Sequence, residues 1–465
     1  MGRSKLLCRL LGYRDGPRNA WRVVILFIII FIATIIYYNH KIGTLTEQVQ
    51  KLQREKKASD KKMKRIREYN TVLDIRRNAS AYTYSLPRNK MCFFRNKLAK
   101  GDMPTLHSIF SDPVSKSVVM VGVKLLHDTW HKNTFICKFE NGDATVSDPI
   151  VNDFRSFGAL AQYVVVITCS LPDQYILQTN FTMSLERVVP FPIKNDFSYD
   201  NFTVCSANVL PPKQTFLAAC TMINDVDEFV PDWIDYHNFM GVEHFYLYDN
   251  QNGRDSTLPE TVTTYIKQGI VTVIPWAHEP SKEKTYLEIQ VAHENDCIWR
   301  HKHDTKWMIK IDVDEYIQPM DPTRPKISDY LADLDYEKLG SIRVQNWFFG
   351  RPQNSTVEAS TYIERNRWRS SDPTEQNIGR DKNILQPKNV HYFKIHAIKL
   401  GGETRSANPR TDLRLVHYRL DNPRKRDFDL PKFDVKDESM VKIWKKIKQS
   451  RYNYEKSDES TRMYF

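Results

Sequence analysis

The stretch at residues 306–316, KWMIKIDVDEY, decides the fold of this chain. It opens with a short apolar run that has the length and composition of a buried strand. The run ends in an acidic triplet made of Asp312, Asp314 and Glu315. On extended backbone, Asp312 and Asp314 would point to one side while Val313 points into the core. We therefore expect two carboxylates at the carboxyl end of a buried strand.

Strand and helix patterns alternate ahead of this stretch, which predicts an α/β fold with a mostly parallel, doubly wound sheet. In such sheets ligands bind beyond the carboxyl ends of the strands, so residues that follow each strand are the first candidates for a site. The expected strands are 215–222, 244–249, 270–276 and 306–312, and the expected helices are 230–240, 259–268 and 285–301.

The acidic triplet is suited to binding a cation. Asp312 and Asp314 offer the oxygen donors that hard divalent ions such as Mn²⁺ or Mg²⁺ prefer, and such ions commonly also bind substrate phosphate. Glu315 would orient the other two acids without contacting the ion. The alternative is that these acids only cap the turn that follows the strand.

The distribution of charge limits the class of partner. The chain has 465 residues, a formal net charge of +12 and 41% hydrophobic residues, as expected of a globular protein. Residues 1–77 hold 18 Lys and Arg against 6 Asp and Glu, which leaves 50 of each sign in residues 78–465. Because the body has no excess of positive charge, we expect no nucleic-acid partner.

The N-terminal segments predict a membrane-anchored protein. Residues 23–38, VVILFIIIFIATIIYY, are apolar enough for a transmembrane signal anchor, with a cleaved signal peptide as the alternative. Basic residues concentrate before this segment, so residues 1–22 are expected in the cytosol and the rest in the lumen, as in a single-pass type II protein. Residues 39–77 keep a broken heptad register, which predicts a helical stalk that would allow a homodimer.

Two further features fit a luminal location. Six of the seven cysteines follow the expected anchor, and an even number in an oxidising compartment predicts disulfide bonds without fixing their pairing. Acceptor triplets for N-linked glycosylation are also present. They begin at Asn78, Asn180, Asn201 and Asn354.

The expected domain organisation follows from these patterns. Short β-like runs with turn punctuation fill residues 78–210, which predicts a small β-rich lead-in domain. The α/β domain is expected at residues 211–420. A charged C-terminal extension is expected at residues 421–465.

Seven segments between residues 215 and 419 are informative together: 232–237, 241–250, 295–297, 311–317, 347–350, 386–388 and 417–419. In these segments the chain resembles glycosyltransferase family 92. The resemblance implies the A-type fold of nucleotide-sugar-binding glycosyltransferases. Characterised members of the family add galactose in β-1,4 linkage, to galactan in plants and to galactose or core fucose of N-glycans in animals.

The resemblance also implies where the nucleotide binds. This fold usually contacts uracil and ribose after the second strand, where Tyr248, Asp249 and Asn250 stand. Asn224 follows the first strand and is a further candidate contact. The alternative is that Tyr248 belongs to the core and Asn250 opens a turn.

Roles in the reaction are implied for residues in the C-terminal half. His417 would complete the ligand sphere of the cation, and Lys388 would neutralise the leaving diphosphate. An acceptor hydroxyl also needs a carboxylate to take its proton. Glu364, Asp372 and Asp381 all lie in the relevant segment, and nothing in the sequence selects one of them.

The resemblance implies a metal-dependent, inverting enzyme that moves galactose from UDP-galactose to a glycoprotein N-glycan. Core fucose is the expected acceptor and terminal galactose the alternative. The anchor and stalk fit the Golgi membrane. Two competing hypotheses remain: a luminal lectin that binds carbohydrate through a metal, and a metal-dependent hydrolase of phosphate esters.

Overall fold

The computed structural model of the protein describes part of the chain. The predicted cytosolic tail, anchor and stalk, at residues 1–22, 23–38 and 39–77, lie outside this part. None of the helices in the described residues is long and apolar enough to cross a bilayer. The described residues are 104–125, 134–151, 162–188, 198–207, 214–251, 256–276, 286–334, 337–352, 359, 361–375, 379–419 and 431–462.

A seven-stranded sheet precedes the α/β part and lies within the predicted β-rich segment. The order of its strands is β4-β3-β6-β7-β1-β2-β5, and all neighbouring pairs except β1 with β7 are antiparallel. A disulfide bond joins Cys137 in β3 to Cys169 in β5. The strands are β1 (Thr105–Asp112), β2 (Ser117–Leu125), β3 (Phe135–Phe139), β4 (Ala144–Val146), β5 (Gln162–Ser170), β6 (Asn180–Arg187) and β7 (Ser198–Ser206).

Two of the predicted glycosylation sites lie on this first sheet. Asn180 opens β6 and Asn201 lies in β7, and both side chains are exposed, as glycosylation requires. Asn78 and Asn354 lie outside the described residues. Occupancy of all four sites stays a prediction.

The alternating part of the chain folds into the predicted parallel strands. β8 (Thr215–Ile223), β9 (His244–Asp249), β10 (Val271–Pro275) and β11 (Thr305–Lys310) lie side by side in the order β10-β9-β8-β11, all parallel. The intervening helices are α1 (Val230–Phe239), α2 (Leu258–Thr261), α3 (Thr263–Lys267) and α4 (Tyr286–Arg300). The expected helix at 259–268 is therefore two short helices, and the expected strand at 306–312 ends at Lys310 instead of Asp312.

The remaining elements complete this sheet and add a second, smaller one. The sheet of parallel strands continues beyond β11 in the order β11-β16-β13-β19. The smaller sheet has the order β12-β20-β14-β15-β21. Their bounds are β12 (Glu315–Pro319), α5 (Ile327–Ala332), β13 (Leu339–Val344), β14 (Asn346–Gly350), α6 (Tyr362–Arg365), β15 (Trp368–Arg369), β16 (Lys382–Leu385), β17 (Val390–Lys394), β18 (Ala397–Gly401), β19 (Glu403–Ser406), β20 (Leu413–His417), β21 (Val435–Lys436) and α7 (Ser439–Arg462).

Apolar side chains cover both faces of the parallel strands. On one face, α4 packs between these strands and the first sheet, where Val119 and Val166 join Ile289 and Ile298 in one core. A disulfide bond between Cys220 in β8 and Cys297 in α4 crosses this core. Burial on both faces explains why the strands read as continuous apolar runs.

On the other face, α1, α5, the smaller sheet and α7 share a second core. α7 comes from the segment predicted as a charged extension, yet one side of its first turns buries apolar side chains. Its buried side chains pack with the rest of the core, so this helix is an integral part of the α/β unit. They are Met440, Val441, Trp444 and Ile447.

Candidate functional site

The ends of the parallel strands bring the predicted polar residues to one edge of the sheet. Asn224 follows β8, Asn250 follows β9 and Asp312 lies two residues after β11. The Asn250 backbone N–H donates to the Ile223 carbonyl at 2.8 Å. The side-chain amide of Asn250 donates to the Trp276 carbonyl at 2.7 Å. The rule that residues after parallel strands share an edge therefore holds for these three residues.

The acidic triplet forms a turn. The Glu315 backbone N–H donates to the Asp312 carbonyl at 3.1 Å, and the Glu315 carboxylate accepts from the Asp312 N–H at 2.8 Å. The expectation that Asp312 and Asp314 continue an extended strand is therefore wrong, although Val313 is buried as expected. Glu315 is itself buried, and its carboxylate closes the turn; its role in orienting metal ligands stays a prediction.

Asp314 and His417 meet at this turn. Asp314 is only 5% exposed, and its Oδ2 lies 3.5 Å from Nε2 of His417 and 3.8 Å from Nη1 of Arg419. His417 ends β20, which pairs with β12 so that His417 lies opposite Glu315. The structure thus brings together two of the predicted metal ligands that are far apart in sequence.

The surroundings of His417 fix the direction of its ring. Nδ1 of His417 lies 2.9 Å from Oδ1 of Asn346, an oxygen that can only accept, so Nδ1 donates to it and Nε2 is turned toward Asp314. Phe348 stacks against the same ring, with centroids 5.2 Å apart. The imidazole nitrogen and the carboxylate oxygen that face each other here are both atom types that bind divalent cations.

The donor atoms at the turn fit a divalent cation that shares its ligands with a substrate. No cluster of three or more His, Cys, Asp or Glu suitable for a metal occurs in the part of the chain that the structure describes. Asp314 and His417 would supply two donors. Mg²⁺ and related ions commonly bind through one or two carboxylates, with waters and substrate phosphates completing their coordination.

Asp312 faces a different partner. Its side chain is 50% exposed, and Oδ2 accepts from Nζ of Lys382 at 2.8 Å. The same ammonium lies 3.5 Å from the Glu315 carboxylate. Burial by itself would lower the pKa of Lys382, but Asp312 and Glu315 outweigh it and raise that pKa, so the amine is charged. Sequence reasoning missed Lys382.

A buried polar cluster lies beneath the turn, between α4 and β11. Nζ of Lys310 donates to Nε2 of His293 at 3.2 Å. Burial raises the pKa of Glu294 and lowers that of Lys310. The Glu294 carboxylate also accepts from the Ile395 N–H at 2.9 Å. This cluster lines a small cavity that reaches Asp312 and Lys382.

Two predicted nucleotide contacts lie deeper than expected. The Tyr248 ring is fully buried, and its hydroxyl donates to the carboxylate of Asp296, which Arg300 also contacts. Its side chain therefore belongs to the core, the alternative considered above. Asp249 is buried at the strand end, and burial raises the pKa of its carboxyl.

Lys388 is not part of the cluster. β16 runs antiparallel to β11, with Asn383 opposite Lys310 and Leu385 opposite Met308. The chain therefore moves away from Asp312 along β16, and Lys388 is exposed beyond the far end of that strand. The predicted contact of Lys388 with a diphosphate at the acidic turn is therefore incorrect in this structure.

The three candidates for the catalytic base have different partners. Glu364 bonds to Lys448 at 2.8 Å, and Asp372 pairs with Arg410 at 2.7 Å on the surface. Asp381 is buried and accepts from the backbone N–H of Asn346 at 3.2 Å. Asp381 is next to Lys382 in sequence, so of the three it is bonded most directly to elements of the acidic site.

Helix α1 fixes the strand that follows the acidic turn. Nε1 of Trp233 donates to the Glu315 carbonyl at 3.0 Å, and the Tyr236 hydroxyl donates to the Ile317 carbonyl at 3.2 Å. His237 is fully buried and stacks against the Tyr316 ring. These contacts give the segment at 232–237 a structural role, because its polar side-chain atoms bond to the backbone of β12.

Comparison with known proteins agrees with the resemblance inferred above. The family described as glycosyltransferase family 92 matches residues 217–461, more than half of the chain. The protein therefore belongs to glycosyltransferase family 92. The matched range includes helix α7.

Individual relatives are similar over part of their length. Galactan β-1,4-galactosyltransferase GALS3 of Arabidopsis thaliana is 28% identical, with 66% of this chain and 58% of that protein covered. The β-1,4-galactosyltransferase galt-1 of Caenorhabditis elegans is 19% identical, with 56% and 60% covered. A family 92 protein of Arabidopsis thaliana is 23% identical, with 38% and 31% covered. Each match spans less than two thirds of the relative.

A solved structure gives a weaker match. It is glucosyl-3-phosphoglycerate synthase from Mycobacterium tuberculosis in complex with Mn²⁺, uridine diphosphate and glucosyl-3-phosphoglycerate. The match has 12% identity and a TM-score of 0.18, and covers 29% of this chain and 44% of that chain. Similarity at this TM-score carries no argument about function.

Proposed function

We propose that this protein is a metal-dependent, inverting glycosyltransferase that moves galactose from UDP-galactose to a glycan in β-1,4 linkage. One observation carries the proposal: Asp314 and His417 meet at the carboxyl edge of the parallel strands in a member of family 92. Membership of the family and two relatives named β-1,4-galactosyltransferases support the reaction class.

The residues at the edge have distinct roles in this proposal. Asp314 and His417 would hold Mn²⁺ or Mg²⁺, which when bound stabilises the departing diphosphate. Asn224 and Asn250 stand where the uridine would lie. Lys382 and Arg419 add positive charge next to the acidic turn, where negative charge develops on the leaving group.

Inversion sets a further requirement. A β-linked product from an α-linked donor needs a single in-line attack by the acceptor hydroxyl, with a carboxylate that accepts its proton. Asp381 is our candidate for this role, because it is buried and its carboxylate bonds to the backbone of Asn346, the residue that orients His417.

We further propose core fucose of N-glycans as the acceptor, with terminal galactose as the alternative, and a type II location in the Golgi membrane. The acceptor rests on the family resemblance. The location rests on the apolar segment at residues 23–38 and the basic residues before it.

The test offers the full-length chain UDP-galactose and UDP-glucose with core-fucosylated and unfucosylated N-glycans, with Mn²⁺ or with EDTA. We expect galactose transfer only with metal and only to the fucosylated glycan, mapped by mass spectrometry and β-galactosidase digestion. Transfer that does not depend on fucose would exclude the proposed acceptor. Transfer from another nucleotide sugar alone would exclude the proposed donor.

Nucleotide binding distinguishes the proposed transferase from a lectin. A lectin has no use for uridine, whereas the proposed transferase should be stabilised against heat by UDP together with Mn²⁺. Stabilisation by free glycan and metal, with no effect of UDP, would favour the lectin.

A further inference from the structure

We propose that Lys382 and Arg419 pair with the acids of the turn and so prevent a divalent cation from binding there by itself. The cation then binds only together with a nucleoside diphosphate. The inference rests on the proposed function and adds an order of binding to it. It assigns a positioning role to Lys382, which lies in none of the segments that carry the family resemblance.

Lys382 pairs with Asp312, the acid of the turn that could otherwise serve as a further ligand for the cation. Its Nζ lies 2.8 Å from Oδ2 of Asp312 and 3.5 Å from Oε2 of Glu315. The lysine side chain is only 6% exposed, so water screens these contacts weakly. A metal ion at Asp312 would have to displace this ammonium or accept it as a close positive neighbour.

Arg419 acts in the same way at the second acid. Its Nη1 lies 3.8 Å from Oδ2 of Asp314, on the carboxylate oxygen that also faces Nε2 of His417 at 3.5 Å. Asp314 is almost fully buried, so the guanidinium charge is felt strongly there. Both acids of the turn are therefore compensated before any ligand arrives.

The charges at the turn explain the coupling. Lys382 contacts Asp312 and Glu315, and Arg419 contacts Asp314, so each acid of the turn already has a basic partner. The remaining field attracts a free divalent cation weakly. A bound diphosphate gives both basic side chains new negative partners, so the carboxylates become available to the cation.

The experiment measures Mn²⁺ binding to the purified full-length chain by electron paramagnetic resonance, with and without saturating UDP. In the unmodified protein we expect UDP to tighten Mn²⁺ binding by about 50-fold, within the usual range of coupling between two ligands. Lys382→Met should bind bare Mn²⁺ at least about tenfold more tightly than the unmodified protein and show a smaller effect of UDP.

Two variants serve as controls. Lys382→Arg keeps the charge and should behave like the unmodified protein. Lys306→Met removes an exposed lysine near the start of β11, away from the acidic turn, and should leave bare Mn²⁺ binding unchanged within about threefold. The measurement on the unmodified protein stands even if Lys382→Met does not fold.

The outcomes separate this inference from the proposed function. Equal Mn²⁺ affinity with and without UDP in the unmodified protein, or no gain of affinity in folded Lys382→Met, would overturn the role of Lys382 while UDP still binds. If neither UDP nor Mn²⁺ binds to the unmodified protein or to any variant, the proposed function is excluded together with the role of Lys382.

Discussion

The two aspartates of the acidic turn differ in what surrounds them. Asp314 is buried and faces His417, whereas Asp312 is half exposed and already paired with Lys382. The ammonium at 2.8 Å compensates Asp312 more closely than the Arg419 guanidinium at 3.8 Å compensates Asp314, so Asp314 has more of its charge available for a metal. The site is therefore asymmetric, and Asp314 is the acid on which cation binding depends more strongly.

This asymmetry predicts different results for two isosteric substitutions. Asp314→Asn keeps the shape but removes the charge, so we expect galactose transfer to fall by more than about 100-fold, with Asp312→Asn less severe. The measurement is kcat/KM with UDP-galactose over a range of Mn²⁺ concentrations. Asp173→Asn, at an exposed aspartate in the connection between β5 and β6, is the control and should change nothing. Full activity of the Asp312, Asp314 double variant would exclude the metal.

The sequence could predict His417 but not Lys382. His417 ends a strand-like run in a segment that resembles the family, and the structure brings it to Asp314. Lys382 lies 70 residues after Asp312, in a strand whose antiparallel direction no local spacing reveals. The same direction carries Lys388 away from the site, because each further residue along β16 lies farther from the acidic turn.

At the scale of elements, the contact between α1 and β12 keeps the acidic turn in place. Trp233 and Tyr236 donate to carbonyls of β12, and the Trp233 bond reaches Glu315 itself. Glu315 in turn bonds to the Asp312 backbone. A change inside helix α1 is thus transmitted to the acids through two hydrogen bonds.

Trp233→Phe should remove the first of these bonds. We expect a loss of stability of about 1–3 kcal/mol, from the missing hydrogen bond and the smaller ring, with weaker binding of UDP and Mn²⁺. Trp444→Phe is the matched control, because Nε1 of Trp444 is buried without a hydrogen-bond partner among the described residues. Denaturant unfolding and UDP–Mn²⁺ titration of both variants make the test. Equal nucleotide binding by both would show that the Trp233 bond does not position the turn.

The contact of α1 with α6 and α7 predicts a dependence of stability on pH. Burial, followed by the nearby charge of Asp235, raises the pKa of Asp232 from 3.8 to about 6. Arg451 and Lys448 on α7 lower it, and Glu364 on α6 raises it slightly. The folded state thus binds more protons than the unfolded state between pH 3.8 and 6, so this group costs stability as the pH rises through that window.

Asp232→Asn should therefore stabilise the protein at pH 7, by about 1 kcal/mol once solvent screening of the partly exposed group is allowed for. At pH 3.5 the two proteins should differ much less, because the aspartate is then protonated in the folded state and mostly protonated in the unfolded state. Denaturant unfolding at pH 7 and pH 3.5 gives the comparison. A stabilisation that is equal at both pH values would contradict the titration of Asp232 as its cause.

At the scale of the whole molecule, the alternation of strands and helices predicted the parallel part of the sheet well. β9 has the expected bounds, β8 is one residue longer at one end, and β10 is one residue shorter at each end. The burial of Tyr248 was harder to predict. Alternation of apolar and polar residues along a strand reveals which side chains face the core only when the other face of the sheet is exposed to solvent. Here α4 and the first sheet cover that other face.

The predicted luminal location has a direct test. In protein expressed in animal cells, enzymatic deglycosylation should lower the apparent mass, with glycan at one or more of Asn78, Asn180, Asn201 and Asn354. The exposed positions Asn180 and Asn201 are the first to examine by mass spectrometry. A body without N-linked glycan that proteases reach from the cytosolic side would contradict the type II topology.

The apolar side of helix α7 also bears on how mutations in the gene would be interpreted. A premature stop codon shortly after residue 430 spares Asp312, Asp314, His417 and Lys382, so the encoded chain keeps every side chain of the acidic site. It nevertheless loses Trp444 and its buried neighbours on α7, which fill the core behind the smaller sheet. Such an allele would be expected to act as a loss of function through misfolding, even though no reactive group is missing.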